Sequence, residues 1–382
     1  MNYFNNSSGI MAFFVLLFIG VGCCGEGFIT SQKQACITPD ASKIAIADWN
    51  GVVTMLDAET GKIVKRKERE GVTGGDSGIV VCTKDNEVMA VYPEIAVSLT
   101  NDRRAERRGR EKIIGSIGND KLVGYSGGVM TTDSDGDYFP GRPLEIYLEE
   151  LGEIPKEKKP LVLQLEMFEG TKKNAVYYWI SPVRLLEDNK LLVIAGARPQ
   201  GYGYGQNTET YVNPESWGFF TVDPEDGNIS KHGSTKMSDS EIHLLYTPKA
   251  VSTLDGRFIA LASGIYNEYY VAVFDTKADR EIFRKAASEN KEFGDLILSK
   301  DGKYLAVAVK HNSGGENDRV YYAVRIYDIE TKEELSDFVV GDSTFYFVDL
   351  REERLIVHDH QMISKFNVTT GKAIWKKEYL EQ

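Results

Sequence analysis

Histidine is scarce in this chain, with five in 382 residues, and cysteine scarcer still at four. The histidines are His232, His243, His311, His358 and His360. None stands in a zinc-protease helix motif, and none can be paired with a serine nucleophile by spacing alone. His358 and His360, two apart on one strand, would offer a transition metal two ligands from one side. No carboxylate or cysteine partner is identifiable for them, and alignment with Ala47-Asp48-Trp49 makes them hairpin residues. Nucleophile elbows and phosphate-binding loops are also missing. Gly201-Tyr-Gly-Tyr-Gly205 has neither the spacing nor the strand-to-helix setting of a dinucleotide fingerprint. The residues therefore give no positive evidence for an enzyme.

Basic residues are outnumbered, 45 against 57 acidic, for a net charge of -12. Nucleic acid is excluded as an expected partner, because binding phosphate backbones requires clustered Lys and Arg. The one basic run, Arg103, Arg104, Arg107, Arg108, Arg110 and Lys112, is interrupted by Glu106 and Glu111 and reads as a solvated edge. Long apolar runs are lacking too. The apolar stretch at residues 11–22 (MAFFVLLFIGVG) is too short for a membrane span and suits the core of a signal peptide.

Residues 1–27 are thus expected to be a signal peptide or lipoprotein-type leader, and residues 28–382 one domain. Gly20-Val-Gly-Cys23 resembles a bacterial lipoprotein processing box, which implies lipidation at Cys23; simple cleavage and an uncleaved anchor are the alternatives. The expected location is exported, either periplasmic or at the cell surface, with membrane association only through a lipidated or uncleaved N-terminus. Cys36 and Cys82 fall in the first strands of two successive repeats, offset by one residue. Their side chains are expected on opposite faces, as buried free thiols rather than a bridge.

What is present is a recurrence. Turn landmarks at Asp40, Asp85, Asn119, Asp188, Asp255, Asp301 and Glu352 each precede a Val- and Ile-rich strand pair, with no helical pattern between copies. The expected fold is all-β: a β-propeller of four-stranded antiparallel blades, seven by this count, with six and eight as alternatives. Blade 3 is the hard one to close, because polar residues 149–159 separate two strand-like segments.

Thr38-Pro-Asp40 with Leu56-Asp57-Ala-Glu-Thr-Gly61, and Asn367-Val-Thr-Thr-Gly-Lys-Ala-Ile-Trp375, resemble repeats of the WD40, YVTN and quinoprotein-like propellers over residues 34–379. That resemblance implies either an interaction scaffold or, as the alternative, a propeller enzyme with its site over the central channel. Such an enzyme would be a YVTN-like lactonase or hydrolase, or a quinone-dependent oxidoreductase.

Third strands are expected to end at Asp57, Thr100, Leu148, Asp223, Asp275, Asp328 and Asn367. Measured from the turn landmarks, the spacings are 17, 15, 29, 35, 20, 27 and 15 residues. Blades 3, 4 and 6 thus carry insertions between their second and third strands, which in a four-stranded meander all emerge on one face. Their residues give the expected binding face for a protein or other macromolecule: Tyr138, Phe139, Arg198, Tyr202, Tyr204, Tyr211 and His311, with Tyr266 from a smaller extension of blade 5. Tyr beside Gly is suited to adaptable contact. Asp133, Asp135 and Asp137 alternate as in calcium loops, but glycine holds the fourth position and Leu144 the twelfth. No cofactor is expected, with calcium at these aspartates the one left open.

Overall fold

The computed structural model describes residues 35–379 apart from 49–50, 69–78, 93–94, 102, 107–111, 119–120, 127–130, 133–137, 140–142, 152–158, 165–176, 199–217, 235–248, 266–267, 287–290, 313–319 and 360. Among the described residues there is no helix, and seven four-stranded antiparallel sheets follow one another along the chain. Blade 1 comprises β1 (Ala35–Ile37), β2 (Lys43–Ala47), β3 (Val53–Asp57) and β4 (Ile63–Lys67). Blade 2 comprises β5 (Ile79–Cys82), β6 (Val88–Val91), β7 (Ile95–Ser98) and β8 (Arg104–Glu106). Blade 3 begins with β9 (Lys112–Ile117) and β10 (Lys121–Ser126), inserts a separate hairpin of β11 (Thr131–Thr132) and β12 (Tyr138–Phe139), and ends with β13 (Leu144–Glu150) and β14 (Leu161–Leu163). Blade 4 comprises β15 (Tyr177–Leu185), β16 (Leu191–Arg198), β17 (Gly218–Val222) and β18 (Ile229–Ser234).

Blade 5 comprises β19 (Lys249–Ser252), β20 (Phe258–Ile265), β21 (Glu268–Asp275) and β22 (Arg280–Ala286). Blade 6 comprises β23 (Lys291–Leu298), β24 (Tyr304–Asn312), β25 (Val320–Asp328) and β26 (Glu334–Gly341). Blade 7 comprises β27 (Tyr346–Arg351), β28 (Arg354–His358), β29 (Met362–Asn367) and β30 (Ala373–Glu378). The first strand of each blade touches the first strand of the next, and β1 touches β27, so seven innermost strands ring a central channel. The expected seven-bladed propeller is the observed fold.

Strand alternation explains why these residues close a ring. In blade 1, Ile44, Ile46 and Leu56 pack toward blade 7, against Ile356, Ile363 and Tyr379. The intervening Ala45, Ala47, Val53 and Met55 pack toward blade 2, against Val88, Ala90 and Val97. Each blade is therefore apolar on both faces, and seven buried clusters fill seven seams. Among the described residues no strand is exchanged between the chain ends, since β27 to β30 are consecutive. Closure instead uses the blade 7 to blade 1 seam, a hydrogen bond of 3.0 Å from Trp375 Nε1 to the Glu59 carbonyl, and a 2.7 Å ion pair from buried Lys365 to the Glu59 carboxylate.

The landmark residues do their work as turn acceptors. Thr38, Thr253 and Ser299 each donate a 2.6 Å hydrogen bond to the aspartate two residues on, Asp40, Asp255 and Asp301. At the ends of the third strands, Asp57, Asp223, Asp275, Asp328 and Asn367 accept backbone N–H groups of the following turn. Asn119 lies outside the described residues, between β9 and β10.

Where the acceptor is a carboxylate, these bonds favour its ionised form. The Thr38 hydroxyl and the Ser42 N–H hold Asp40 below its ordinary 3.8, and the Thr60 hydroxyl and N–H do the same for Asp57. Lys365 likewise holds Glu59 below 4.5. Groups whose folded pKa is depressed stabilise the fold above the unfolded value and lose that contribution as pH falls through the folded one. The thermal midpoint should therefore be flat from neutrality to about pH 5 and fall below it. Asp40→Asn and Glu59→Gln should each make that acid limb shallower.

The two cysteines correct the expectation of free thiols. Cys36 and Cys82 form a disulfide, with Cα atoms 5.9 Å apart. The one-residue offset is real: Thr38 N–H bonds to the Lys43 carbonyl and Thr83 N–H to that of Glu87, which places Cys36 two residues before its turn threonine and Cys82 one before. Successive blades, however, meet through opposite faces. Opposite parity puts Cys36 and Cys82 into the same seam, where both pack with its apolar cluster.

Candidate functional site

The second-to-third-strand connections rise from the face that also carries the links between blades. Blade 1 keeps five residue pairs between those strands, from Lys43↔Asp57 to Ala47↔Val53. Blade 6 keeps nine, from Tyr304↔Asp328 to Asn312↔Val320, and blade 5 keeps eight, from Phe258↔Asp275 to Ile265↔Glu268. At ~3.3 Å per residue, the blade 6 ribbon extends ~13 Å further than that of blade 1. In blade 4, β16 continues to Arg198, three residues beyond its last pairing with β17, Ala195↔Gly218. Blade 3 adds the β11–β12 hairpin, paired Thr132↔Tyr138 and Thr131↔Phe139. Four consecutive blades thus carry extensions, whereas blades 7, 1 and 2 keep short connections.

Blade 5 belongs to this sector more fully than its spacing indicated. Its addition is paired strand rather than loop, with two residues, 266–267, between β20 and β21. Tyr270 on this ribbon lies under the Arg284 guanidinium, 4.9 Å from the ring centre, and Arg284 is held by Glu281. That bond to Glu281 raises the Arg284 pKa despite partial burial. On the blade 6 ribbon, His311 stacks on Tyr321 with ring centres 4.5 Å apart and planes 9° from parallel. Tyr321 is 36% exposed, which leaves ring surface for contact.

Beside this ribbon, the bulge of β23 directs Asp295 into the seam with blade 7, where its carboxylate accepts the Phe347 N–H at 2.8 Å. Tyr346 lies nearby, its phenol pushed up by burial first and by Asp295 and Tyr322 next. His358 is buried against the Tyr346 ring, 5.5 Å between centres, as a packed hairpin residue. Among the described residues no group of three His, Cys, Asp or Glu side chains could hold a metal.

Of the residues expected at the binding face, His311 has a described side chain and sits on the looped face. Tyr138 and Phe139 are placed by backbone in β12, and Arg198 ends β16. Tyr202, Tyr204, Tyr211, Tyr266, Asp133, Asp135, Asp137, Cys23 and His360 lie outside the described residues. The partner of His311, Tyr321, was missed; it directly precedes the strand-like Tyr322-Ala-Val-Arg-Ile-Tyr327 and reads as strand in the sequence.

No protein-family profile and no curated protein matches the chain. Solved structures do resemble it. They include the β-propeller domain of Cps50 (Swd1) from Myceliophteria thermophila, at a TM-score of 0.52 and 11% identity over 88% of this chain and 93% of that one. They also include a complex of KlAtg21 with the coiled coil of AgAtg16, at 0.52 and 10% over 91% and 98%. The chain is a seven-bladed β-propeller of four-stranded antiparallel blades. At these identities the likeness is one of fold, so what the propeller does has to be read from its own extended face.

Proposed function

We propose that this propeller is an exported, non-catalytic scaffold that binds a protein partner through the looped face of blades 3 to 6. The observation that carries the reading is the adjacency of four extended connections on a ring whose seven seams are filled. A rigid platform with long ribbons on one sector is how loops are held for recognition. That KlAtg21, similar in fold, is captured with a coiled coil supports a protein as the partner class. The Cys36–Cys82 disulfide supports export, because such bonds persist in oxidising compartments. It agrees with the apolar leader at residues 11–22.

Two variants test the binding face: replacement of residues 201–205 by a two-residue turn, and Tyr321→Ala. Both should leave the thermal midpoint within about 1–2 °C, since the second removes a side chain 36% exposed. Tyr321→Ala should weaken capture of the partner by tenfold or more if the ring is an anchor, as truncated interface aromatics commonly cost ~2 kcal/mol. Undiminished capture by both variants, measured by quantitative pull-down from the exported fraction, would place the interface elsewhere.

A further inference from the structure

The position of the disulfide has an equivalent in the seam between blades 4 and 5. Hydrogen bonds from Thr38, Thr83, Leu186, Thr253 and Ser299 across their turns align the innermost strands. Two residues before these stand Cys36, Val81, Arg184, Val251 and Ile297, on the face toward the following blade. One residue before them stand Ile37, Cys82, Leu185, Ser252 and Leu298, on the face toward the preceding blade. The seam between blades 5 and 6 therefore joins Val251 to Leu298 within its apolar cluster, and the seam between blades 1 and 2 joins Cys36 to Cys82. The seam between blades 4 and 5 joins Arg184 to Ser252, with the guanidinium donating a 2.8 Å hydrogen bond to the Ser252 carbonyl.

A strut at this position needs neither a charge nor a hydroxyl, as Val251 and Leu298 show. Arg184 is half-buried in the innermost strand, and the one acceptor found for it among the described residues is that carbonyl. A guanidinium has five N–H donors, and those of Arg184 not engaged by that carbonyl reach solvent, where a ligand can take them. Burial pushes its pKa down to about 10, which leaves it charged at neutral pH, and no carboxylate among the described residues offsets that burial. Ser252 is 3% exposed, and its hydroxyl has no hydrogen-bond partner among the described residues. A cation without a counter-charge among the described residues and an unsatisfied hydroxyl thus belong to two residues that one hydrogen bond joins across a seam between innermost strands. One ligand would supply both the counter-charge and a partner for the hydroxyl, an anion with two or more oxygens, because guanidinium pairs with such groups through parallel N–H donors.

We propose that Arg184 and Ser252 form a seat in the channel wall for a small oxyanion, a carboxylate or a phosphate. The site is separate from the looped-face scaffold reading and stands or falls without it.

The test uses the full chain, with sodium acetate and inorganic phosphate as probes and sodium chloride at equal ionic strength as the control. The thermal midpoint of the wild type should rise with the logarithm of one probe's concentration, as it must for a ligand that binds the folded state. Arg184→Met should lose the site-specific part of that rise and keep the general stabilisation phosphate gives by exclusion from protein surfaces, so the difference between the two proteins reads the site. Ser252→Ala should require about tenfold more of the anion, consistent with loss of a hydrogen bond to a charged group. A response to acetate assigns a carboxylate, and a response to phosphate alone assigns a phosphate group. No rise with either probe, or an equal rise in Arg184→Met, overturns the proposal. If Arg184→Met does not fold, an unchanged acetate and phosphate response in Ser252→Ala overturns it.

Discussion

Replacing Cys36 and Cys82 together by serine is expected to lower the unfolding free energy by about 4 kcal/mol, from the chain entropy released when a cross-link spanning a sequence separation of 46 is removed. The two residues sit on the innermost strands of blades 1 and 2 and pack with the seam cluster, so the bridge ties the second blade to the blade that closes the ring. Without it the seam retains its apolar packing, including Ala45, Val53, Val88 and Val97. The prediction is consequently a loss of stability with the fold kept. Denaturant unfolding of the native protein and of the double variant should give separated midpoints with similar slopes, since the area exposed on unfolding changes little. Reducing agent should shift the native protein toward the variant and leave the variant unmoved. Coincident curves for oxidised and reduced protein, with thiol titration confirming each state, would refute the stabilising role.

How much of this was legible in the sequence follows from what a strand pattern records. The turns were legible because their chemistry is local: Asp40, Asp255 and Asp301 accept bonds from hydroxyls two residues away, so the signal lies within six residues. Blade number followed from counting them. The insertions of blades 3, 4 and 6 were legible as departures from the shortest repeats, whereas blade 5 was underestimated because its extra length is paired strand. Contacts between blades were not legible in the same way. Parity within one strand says which residues share a face, but the partner of that face is the opposite face of the next blade. The one-residue offset of Cys36 and Cys82 would separate them on a single blade, but between successive blades it brings them together. Arg184 and Ser252 are silent in the sequence for the same reason. Neither belongs to a motif, and they become a pair when the turn hydrogen bonds set two innermost strands in register.

Gly302→Ala should destabilise the protein by about 2–3 kcal/mol, and the cause lies in two blades at once. Gly302 occupies the turn between β23 and β24 with φ of +71°, a left-handed conformation in which an alanine costs ~1 kcal/mol or more. A Cβ there would also lie 2.0 Å from Cδ2 of Phe258, the first residue of β20 in the preceding blade. That ring is half-buried and carries the Arg257 guanidinium at 4.6 Å, so it must shift and lose contacts to admit the methyl group. Gly341→Ala, in the same blade, is the control: its nearest neighbour would be the Ser343 nitrogen at 4.0 Å, and it should be near neutral. A double-mutant cycle separates the two causes. In a Phe258→Leu background the smaller side chain relieves the overlap, and Gly302→Ala should then cost about 1 kcal/mol, leaving a coupling of ~1–2 kcal/mol. Equal costs in both backgrounds would assign the whole effect to the backbone. The same geometry recurs where Gly256 meets His232, Gly371 meets Phe338 and Gly61 meets Trp375, each time a turn glycine against a side chain of the preceding blade. The Gly61 contact spans the joint between blade 7 and blade 1. Glycine at these turns therefore serves the seam as well as the hairpin, and a ring with no exchanged strand among its described residues is held at its circumference by close approach as well as by its core.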